Sequence, residues 1–345
     1  MLDELDFQLV NALQIAPRAP WSVLAPALRT DASTLSRRWS RLTESGLAWT
    51  TCYVLPQRIQ ALSTAGERLR SSFAVIEVRC ESGRRAHVIE ALARKPAVVN
   101  VECTSGSRDL IMNISAASPG ALDDYISAHI AVLPGVIATS TRFVRLMYRE
   151  GSEYDLGALR PVQRESVEEI RRATAPAAAI APSSLTERVI QALQADVRRP
   201  ASEVAQEVGI SVPLARRTIA ALAGSDWVRM RADFAHDVVG WNASVNLWIS
   251  VPQDSLEQLA SGLSVLPEVR LCASTLGPSN LVMTLWLREL DELDAIELHL
   301  RSLAPEARVV DRWMVPRVVK RMGTLFDESG RRSGYIPVPL PRTAA

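Results

Sequence analysis

The chain matches itself. Displaced by 180 positions, residues 5–46 align without a gap on 185–226, with 11 identities in 42 pairs. Among them are Leu5/Leu185, Ala12/Ala192, Leu13/Leu193, Gln14/Gln194, Arg18/Arg198, Ser22/Ser202, Arg37/Arg217 and Leu42/Leu222. Further on, an offset of 171 sets Pro96 and Val98 against Pro267 and Val269, Gly106 against Gly277, and Leu110 and Met112 against Leu281 and Met283. Arg142-Phe143 answers Arg312-Trp313 at an offset of 170. A module of about 150 residues is therefore present twice, and any fold must serve both copies. Between them, residues 176–184 are rich in Pro, Ala and Ser, the composition of a linker.

The first part of each module reads as short helices. In copy one, Leu5, Leu9, Val10 and Leu13 share a helical face. Pro20, Trp21 and Ser22 open a second helix. Thr30-Asp31 breaks it, and a third runs over 32–44 with Leu35, Trp39 and Leu42 inward and Gly46 beyond its end. Strand-like residues on each side of Thr50 complete the order of a winged helix-turn-helix, with a hairpin as the wing. The third helix carries Ser33, Thr34, Ser36, Arg37, Arg38, Ser40 and Arg41 outside its apolar stripe, a set suited to base edges and phosphates. With Ser22 these are the DNA-contact candidates of copy one; the ordinary alternative is a solvated helix face. Copy two keeps the apolar scaffold but offers only Arg216 and Arg217, with Thr218, Ala220 and Ala221 where copy one has Arg38, Ser40 and Arg41. Copy two is expected to bind DNA more weakly or to serve as a packing surface.

The second part alternates. Strand 74–80, helix 83–95, strands 98–103 and 110–115, helix 121–132 and strand 138–147 give β-α-β-β-α-β, a ferredoxin-like sandwich. Copy two repeats it over 245–251, 255–266, 269–274, 280–287, 290–303 and 308–319. One sheet face is covered by its own helices; the other needs a partner, and a second copy of the same domain is the natural one. The fold class is thus α+β: two winged helix-turn-helix domains and two ferredoxin-like βαββαβ sandwiches in tandem. The expected boundaries are 1–58, a linker 59–71, 72–150, a linker 151–182, 183–235, 240–325 and an extended or disordered tail 326–345. A charged surface helix is expected near 162–172.

Taken together, Leu2-Asp3-Glu4-Leu5-Asp6, the run from Ser36 to Leu42, Glu44-Ser45-Gly46-Leu47, the stretch Thr104 to Leu110, and Leu133-Pro134-Gly135-Val136 with Thr139 and Thr141 resemble the Lrp/AsnC (feast/famine) transcription regulators. The resemblance implies a DNA-reading helix-turn-helix and a domain that dimerises through its sheet and binds amino acids or related effectors between subunits. By that analogy Gly106, Ser107, Arg108, Asp109, Thr139 and Thr141 form the effector site; the plain alternative for the loop is a hairpin turn. Two departures stand out. Copy one has Arg29-Thr30-Asp31 where the family tends to place Gly-apolar-Ser, as copy two does in Gly209-Ile210-Ser211. Copy two reads Gly277-Pro278-Ser279-Asn280, without the acidic residue.

Composition sets the remaining bounds. Residues are 48% hydrophobic and 22% charged, and the net charge of +1 leaves DNA contact to a local patch. The four cysteines are scattered and the four histidines lie far apart in sequence, so no metal, disulfide framework or cofactor is expected. No apolar run approaches a membrane span and the acidic start has no signal core, which points to a cytoplasmic protein without a membrane partner. The expected partners are double-stranded DNA, an amino-acid-like effector and further copies of the chain, as homodimer or higher homo-oligomer. Siroheme decarboxylases share the same two-domain plan, some as fused pairs, and usually bring a histidine on the second strand. Here those strands read Asn100-Val101-Glu102-Cys103 and Arg270-Leu271-Cys272-Ala273, so the chain is expected not to be an enzyme, with no catalytic residues. A co-regulator that no longer binds DNA is the third possibility.

Overall fold

The computed structural model describes residues 2–55, 72–175, 180–235 and 240–340. The expected linker 59–71, part of the second linker, His236 and the last five residues lie outside them. The chain divides into two compact units that cut across the modules. One gathers both helix-turn-helix copies, Met1–Ser71 with Asp155–Ala235 and Arg331–Ala345; the other gathers both α/β copies, Ser72–Tyr154 with His236–Gly330. Like pairs with like.

In the first unit, copy one folds as α1 (Glu4–Ile15), α2 (Trp21–Ala27) and α3 (Ala32–Glu44), followed by strand β1 (Ala48–Val54). Asp3 and Asp6 form a capping box at the start of α1, and Asp31 caps α3. Gly46 ends the third helix at φ +68°, as its place after the apolar stripe requires. Arg29 adopts φ +54° at the break before α3, the position where copy two has Gly209 at φ +70°. The left-handed turn is thus common to both copies, although only one supplies the residue that takes it without strain.

The expected hairpin wing is replaced. Ala48–Val54 is one unbroken strand, and its partner is the matching strand of copy two, β6 (Val228–Phe234), which pairs with it antiparallel. Thr51 sits opposite Arg231, its own counterpart at the 180-residue offset. An antiparallel pair centred on equivalent residues has a two-fold axis through that centre, so the two copies form a pseudo-dimer. Reciprocal arginines repeat the symmetry. Arg18 donates to the Val197 and Arg199 carbonyls, and Arg198 donates to those of Pro17 and Ala19. Copy two itself is built from α7 (Ser184–Leu193), α8 (Ala201–Val208) and α9 (Val212–Ala223).

Much of the expected linker 151–182 is docked on this unit. Asn11 and Gln14 accept from the backbone amides of Leu156, Ala158 and Leu159, and α6 (Pro161–Thr174) packs on α1 and α2 through the buried Val167. The tail is docked too. Arg332 N–H donates to the Gly46 carbonyl, Gln194 donates to the Val338 carbonyl, and Leu340 packs on the copy-two core.

The second unit holds β2 (Ser72–Cys80), α4 (Arg85–Ala93), β3 (Val98–Cys103), β4 (Leu110–Ala116), α5 (Pro119–His129) and β5 (Val136–Arg149) from copy one. Copy two supplies β7 (Ala243–Ser250), α10 (Leu256–Ser264), β8 (Val269–Thr275), β9 (Leu281–Leu287), α11 (Glu292–Leu303), β10 (Arg308–Met314), β11 (Arg317–Arg321) and β12 (Thr324–Phe326). The expected strand 308–319 is split at Val315-Pro316, because proline has no N–H to give a ladder.

Within this unit the strands run in the order β10-β7-β9-β8-β5-β2-β4-β3-β11-β12. The long strand β5 joins the copies: its first half pairs β2, and from Val144 onward it pairs β8. Its counterpart β10–β11 does the same, pairing β7 and then β3. Leu146↔Ser274 and Arg317↔Cys103 are the same pairing at offset 171, as are Met147↔Ala273 and Val318↔Glu102. Each sheet buries one face under its own helices, with Ala74, Ile76 and Val78 in one core and Val245, Leu247 and Ile249 in the other. The opposite faces meet through Val75, Ile111, Trp248, Ala273, Val282 and Trp313.

Candidate nucleic-acid interface and ligand site

The outer face of α3 begins at its cap. Asp31 accepts from the Thr34 amide at 2.7 Å, the Ser33 hydroxyl at 2.5 Å and the Thr34 hydroxyl at 2.8 Å, and these bonds hold its carboxyl far below the usual range. With their protons committed to Asp31, Ser33 and Thr34 present lone pairs to a ligand. Ser22, Ser33, Arg37 and Ser40 are exposed and Ser36 is half-exposed.

Arg38 and Arg41 are placed differently from a free phosphate-contacting pair. Arg38 bonds Asp3 at 2.7 Å and Asp6 at 3.0 Å, and Arg41 bonds Asp6 at 2.6 Å. Asp6 is 1% exposed, so these arginines neutralise a buried carboxylate and tie α3 to α1. Arg38 keeps 24% of its side chain in solvent and Arg41 54%. In copy two Thr186 and Thr218 stand where Asp6 and Arg38 do, and both are buried. Arg216 and Arg217 are exposed on α9.

The expected effector residues separate. Asp109 Oδ2 accepts from the Cys80 amide at 2.7 Å, anchoring the end of β2. At offset 171, Asn280 Oδ1 accepts from the Val251 amide at 2.8 Å. The two copies use a carboxylate and an amide for one structural bond, so the acid is held by the fold. Thr139 and Thr141 pair with Val78 and Ile76, which face the helices. Paired residues share a sheet face, so both threonines point away from the inter-sheet face. The neighbouring positions Ser140 and Arg142, paired with Glu77 and Val75, are the ones turned toward it. A one-residue displacement along a strand exchanges the faces.

Arg108 does reach the inter-sheet face. Its Nε donates to Glu77 at 2.9 Å, Arg142 Nε donates to the other oxygen at 2.7 Å, and Glu77 is 1% exposed. Arg142 lies 4.9 Å over the Trp248 ring, whose centroid is 5.2 Å from that of Trp313. In the ladders Arg142 pairs Val75 as Trp313 pairs Asn246, so the structural offset here is 171 where the local sequence match gives 170. Glu77 is thereby the counterpart of Trp248 and Arg142 that of Trp313, and one half of this cluster is ionic and the other aromatic. The loop glycines face the same residues. A Cβ on Gly106 would lie 3.0 Å from Trp313 Cδ1, and one on Gly277 3.0 Å from an Arg142 nitrogen. Both indole Nε1 atoms are buried with no hydrogen-bond partner. Two buried donors beside two guanidinium groups favour an acceptor-rich, anionic group. Ser107 contributes its carbonyl to Arg108. Glu77, Arg142, Trp248 and Trp313 were not legible as a site; the signal was a lone acid within the apolar strand 74–78 and the chemical exchange at equivalent positions.

His87, His129 and His299 are exposed, the first two on α4 and α5 and the third on α11. Among the described residues no group of three His, Cys, Asp or Glu is placed to hold a metal ion, and no helix is long and apolar enough to cross a membrane.

Residues 2–43 match the AsnC-type helix-turn-helix domain, and residues 73–152 match the Lrp/AsnC ligand binding domain. No curated protein matches the chain in sequence. Among solved structures, the siroheme decarboxylase NirDL in complex with an iron-uroporphyrin III analogue aligns over 93% of both chains, at 16% identity and a TM-score of 0.58. A second NirDL structure covers 95% of this chain and 96% of its own, at 14% identity and a TM-score of 0.58. AsnC of E. coli covers 42% of this chain and 93% of its own, at 18% identity and a TM-score of 0.36. The likeness to NirDL is one of fold. It overturns the expectation that the chain is no enzyme, because an enzyme carries this fold over almost its whole length and the missing strand histidine does not decide the matter.

Proposed function

We propose that the chain is a sequence-specific DNA-binding transcriptional regulator whose DNA binding or assembly responds to a small effector, an amino acid or related metabolite. The observation that carries this reading is the pairing of two helix-turn-helix copies about a pseudo-two-fold axis, with Arg37 and Arg217 exposed at equivalent positions on α3 and α9. Dimeric helix-turn-helix proteins use such symmetry to enter successive major grooves about one helical turn apart. Ser22, Ser33, Thr34, Ser36 and Ser40 are the proposed base-reading and positioning groups of copy one, while Arg38 and Arg41 hold α3 on α1 and add field at its rim. The effector is proposed to sit at Arg108, Glu77, Arg142, Trp248 and Trp313, with a carboxylate taking the unpartnered indole donors. It acts by favouring one state of the protein over another, including association of chains into larger homo-oligomers. Binding to duplex DNA from upstream of its own gene, titrated with salt, tests the reading. A phosphate-contacting protein gives a log affinity that falls linearly with log salt. Affinity that is absent, or insensitive to salt, overturns it.

A second reading is favoured by the whole-length likeness to NirDL: the ligand is an iron tetrapyrrole, and the chain acts on its carboxylates. Anaerobic incubation with siroheme under reducing conditions tests it, loss of acetate carboxyls supporting it and unchanged siroheme opposing it.

A further inference from the structure

We infer that one chain occupies one DNA site composed of two unlike half-sites, so that its operator is not a palindrome. The inference rests on the DNA-binding reading above and adds the form of the target. The β1–β6 ladder centred on Thr51 and Arg231, and the reciprocal bonds of Arg18 and Arg198, relate α3 to α9 by a two-fold axis within a single chain. No second chain is needed to present two recognition helices. A homodimer reads the same bases twice because its two helices are identical. Here they are not.

Position by position, the outer faces agree at Arg37 and Arg217, both exposed, and disagree around them. Ser33 is answered by Pro213, Thr34 by Leu214, Ser36 by Arg216 and Ser40 by Ala220. The caps differ as well. Asp31 binds both neighbouring hydroxyls in copy one, whereas Ser211 caps α9 through the Leu214 amide at 3.4 Å and engages no neighbouring side chain at Pro213 or Leu214. The copy-one face therefore offers oxygen lone pairs, which suit the amino groups of adenine and cytosine. The copy-two face offers small apolar surface, which suits the thymine methyl group, with Arg216 added for guanine or phosphate. Arg37 and Arg217 are the shared element, matched to both half-sites or to the backbone beside them. On this inference α9 is a different reader with its own preference, in place of the weaker reader or packing surface expected from the sequence.

The test is selection of bound duplexes from a randomised pool by the full chain, followed by light scattering of the complex with the selected duplex. The expected site has two non-matching halves about one helical turn apart and one chain per duplex, and a palindrome made from either half binds at least about tenfold more weakly. The variant Pro213→Ser/Leu214→Thr/Arg216→Ser/Ala220→Ser is expected to shift preference to the palindrome of the copy-one half, and Ala220→Ser alone to move it in the same direction. Enrichment of a palindrome bound by two chains overturns the inference and leaves DNA binding standing. A pool from which nothing is enriched overturns the DNA-binding reading itself.

Discussion

Two residues show how equivalent positions separate structure from chemistry. Asp109 and Asn280 accept the same kind of backbone amide in the two copies, so the negative charge of Asp109 is dispensable to that bond. Asp109→Asn is expected to leave stability within about 0.5 kcal/mol of the parent, while Asp109→Ala costs about 1–3 kcal/mol by stranding the Cys80 amide. Urea unfolding of the two variants decides it; equal losses would give the charge a part of its own. Arg29 is the converse case. It holds a left-handed backbone where copy two uses Gly209. Arg29→Gly should raise stability by about 0.5–1 kcal/mol, net of the extra freedom glycine gives the unfolded chain, and a lowered urea midpoint would count against the strain.

At the scale of elements, pairing of the copies depends on side chains that bond backbone carbonyls in the connections between helices. Burial lowers the pKa of Arg18 and takes that of Arg198 to about 10, yet both stay charged at neutral pH. Arg18→Ala and Arg198→Ala are each expected to cost about 2–3 kcal/mol, since a charged donor is lost from two carbonyls; an unchanged denaturation midpoint would show that the pairing does not use them. Strand β11 carries the corresponding device in the other unit. Lys320, 0% exposed, donates to the Lys95 carbonyl at 2.8 Å, as Arg149 donates to that of Ser264. Burial lowers the Lys320 pKa from 10.5 to about 8. Between those values the unfolded chain binds more protons than the folded one. Stability therefore rises with pH from about 8 to 10.5, by up to about 1.4 kcal/mol per pH unit. Lys320→Met should remove that rise, and a pH profile identical to the parent's would contradict the assignment.

For the whole molecule, the duplication was legible because its offsets hold over long stretches, 180 throughout the helix-turn-helix unit and 171, slipping to 170 at the last strand, in the α/β unit. The βαββαβ order was legible from alternation of apolar and polar residues. The partner of β1 was not, because Ala48–Val54 carries the same local pattern whether it turns back on itself or pairs a strand 180 positions away. The ligand cluster was hidden for a related reason. Glu77 and Trp248 mean little singly, and the axis that brings them together is a property of pairing. Arg38 and Arg41 read as phosphate-contacting groups on α3 alone; only α1, packed beside it, shows the buried Asp6 they serve. The central claim, that the two copies pair within one chain, predicts one bond. Val54 and Val228 are direct partners in the β1–β6 ladder, within disulfide reach for an antiparallel pair. Oxidation of Val54→Cys/Val228→Cys, read by non-reducing electrophoresis and peptide mapping, should give a 54–228 disulfide inside a single chain; a product linked chain to chain would contradict pairing in cis.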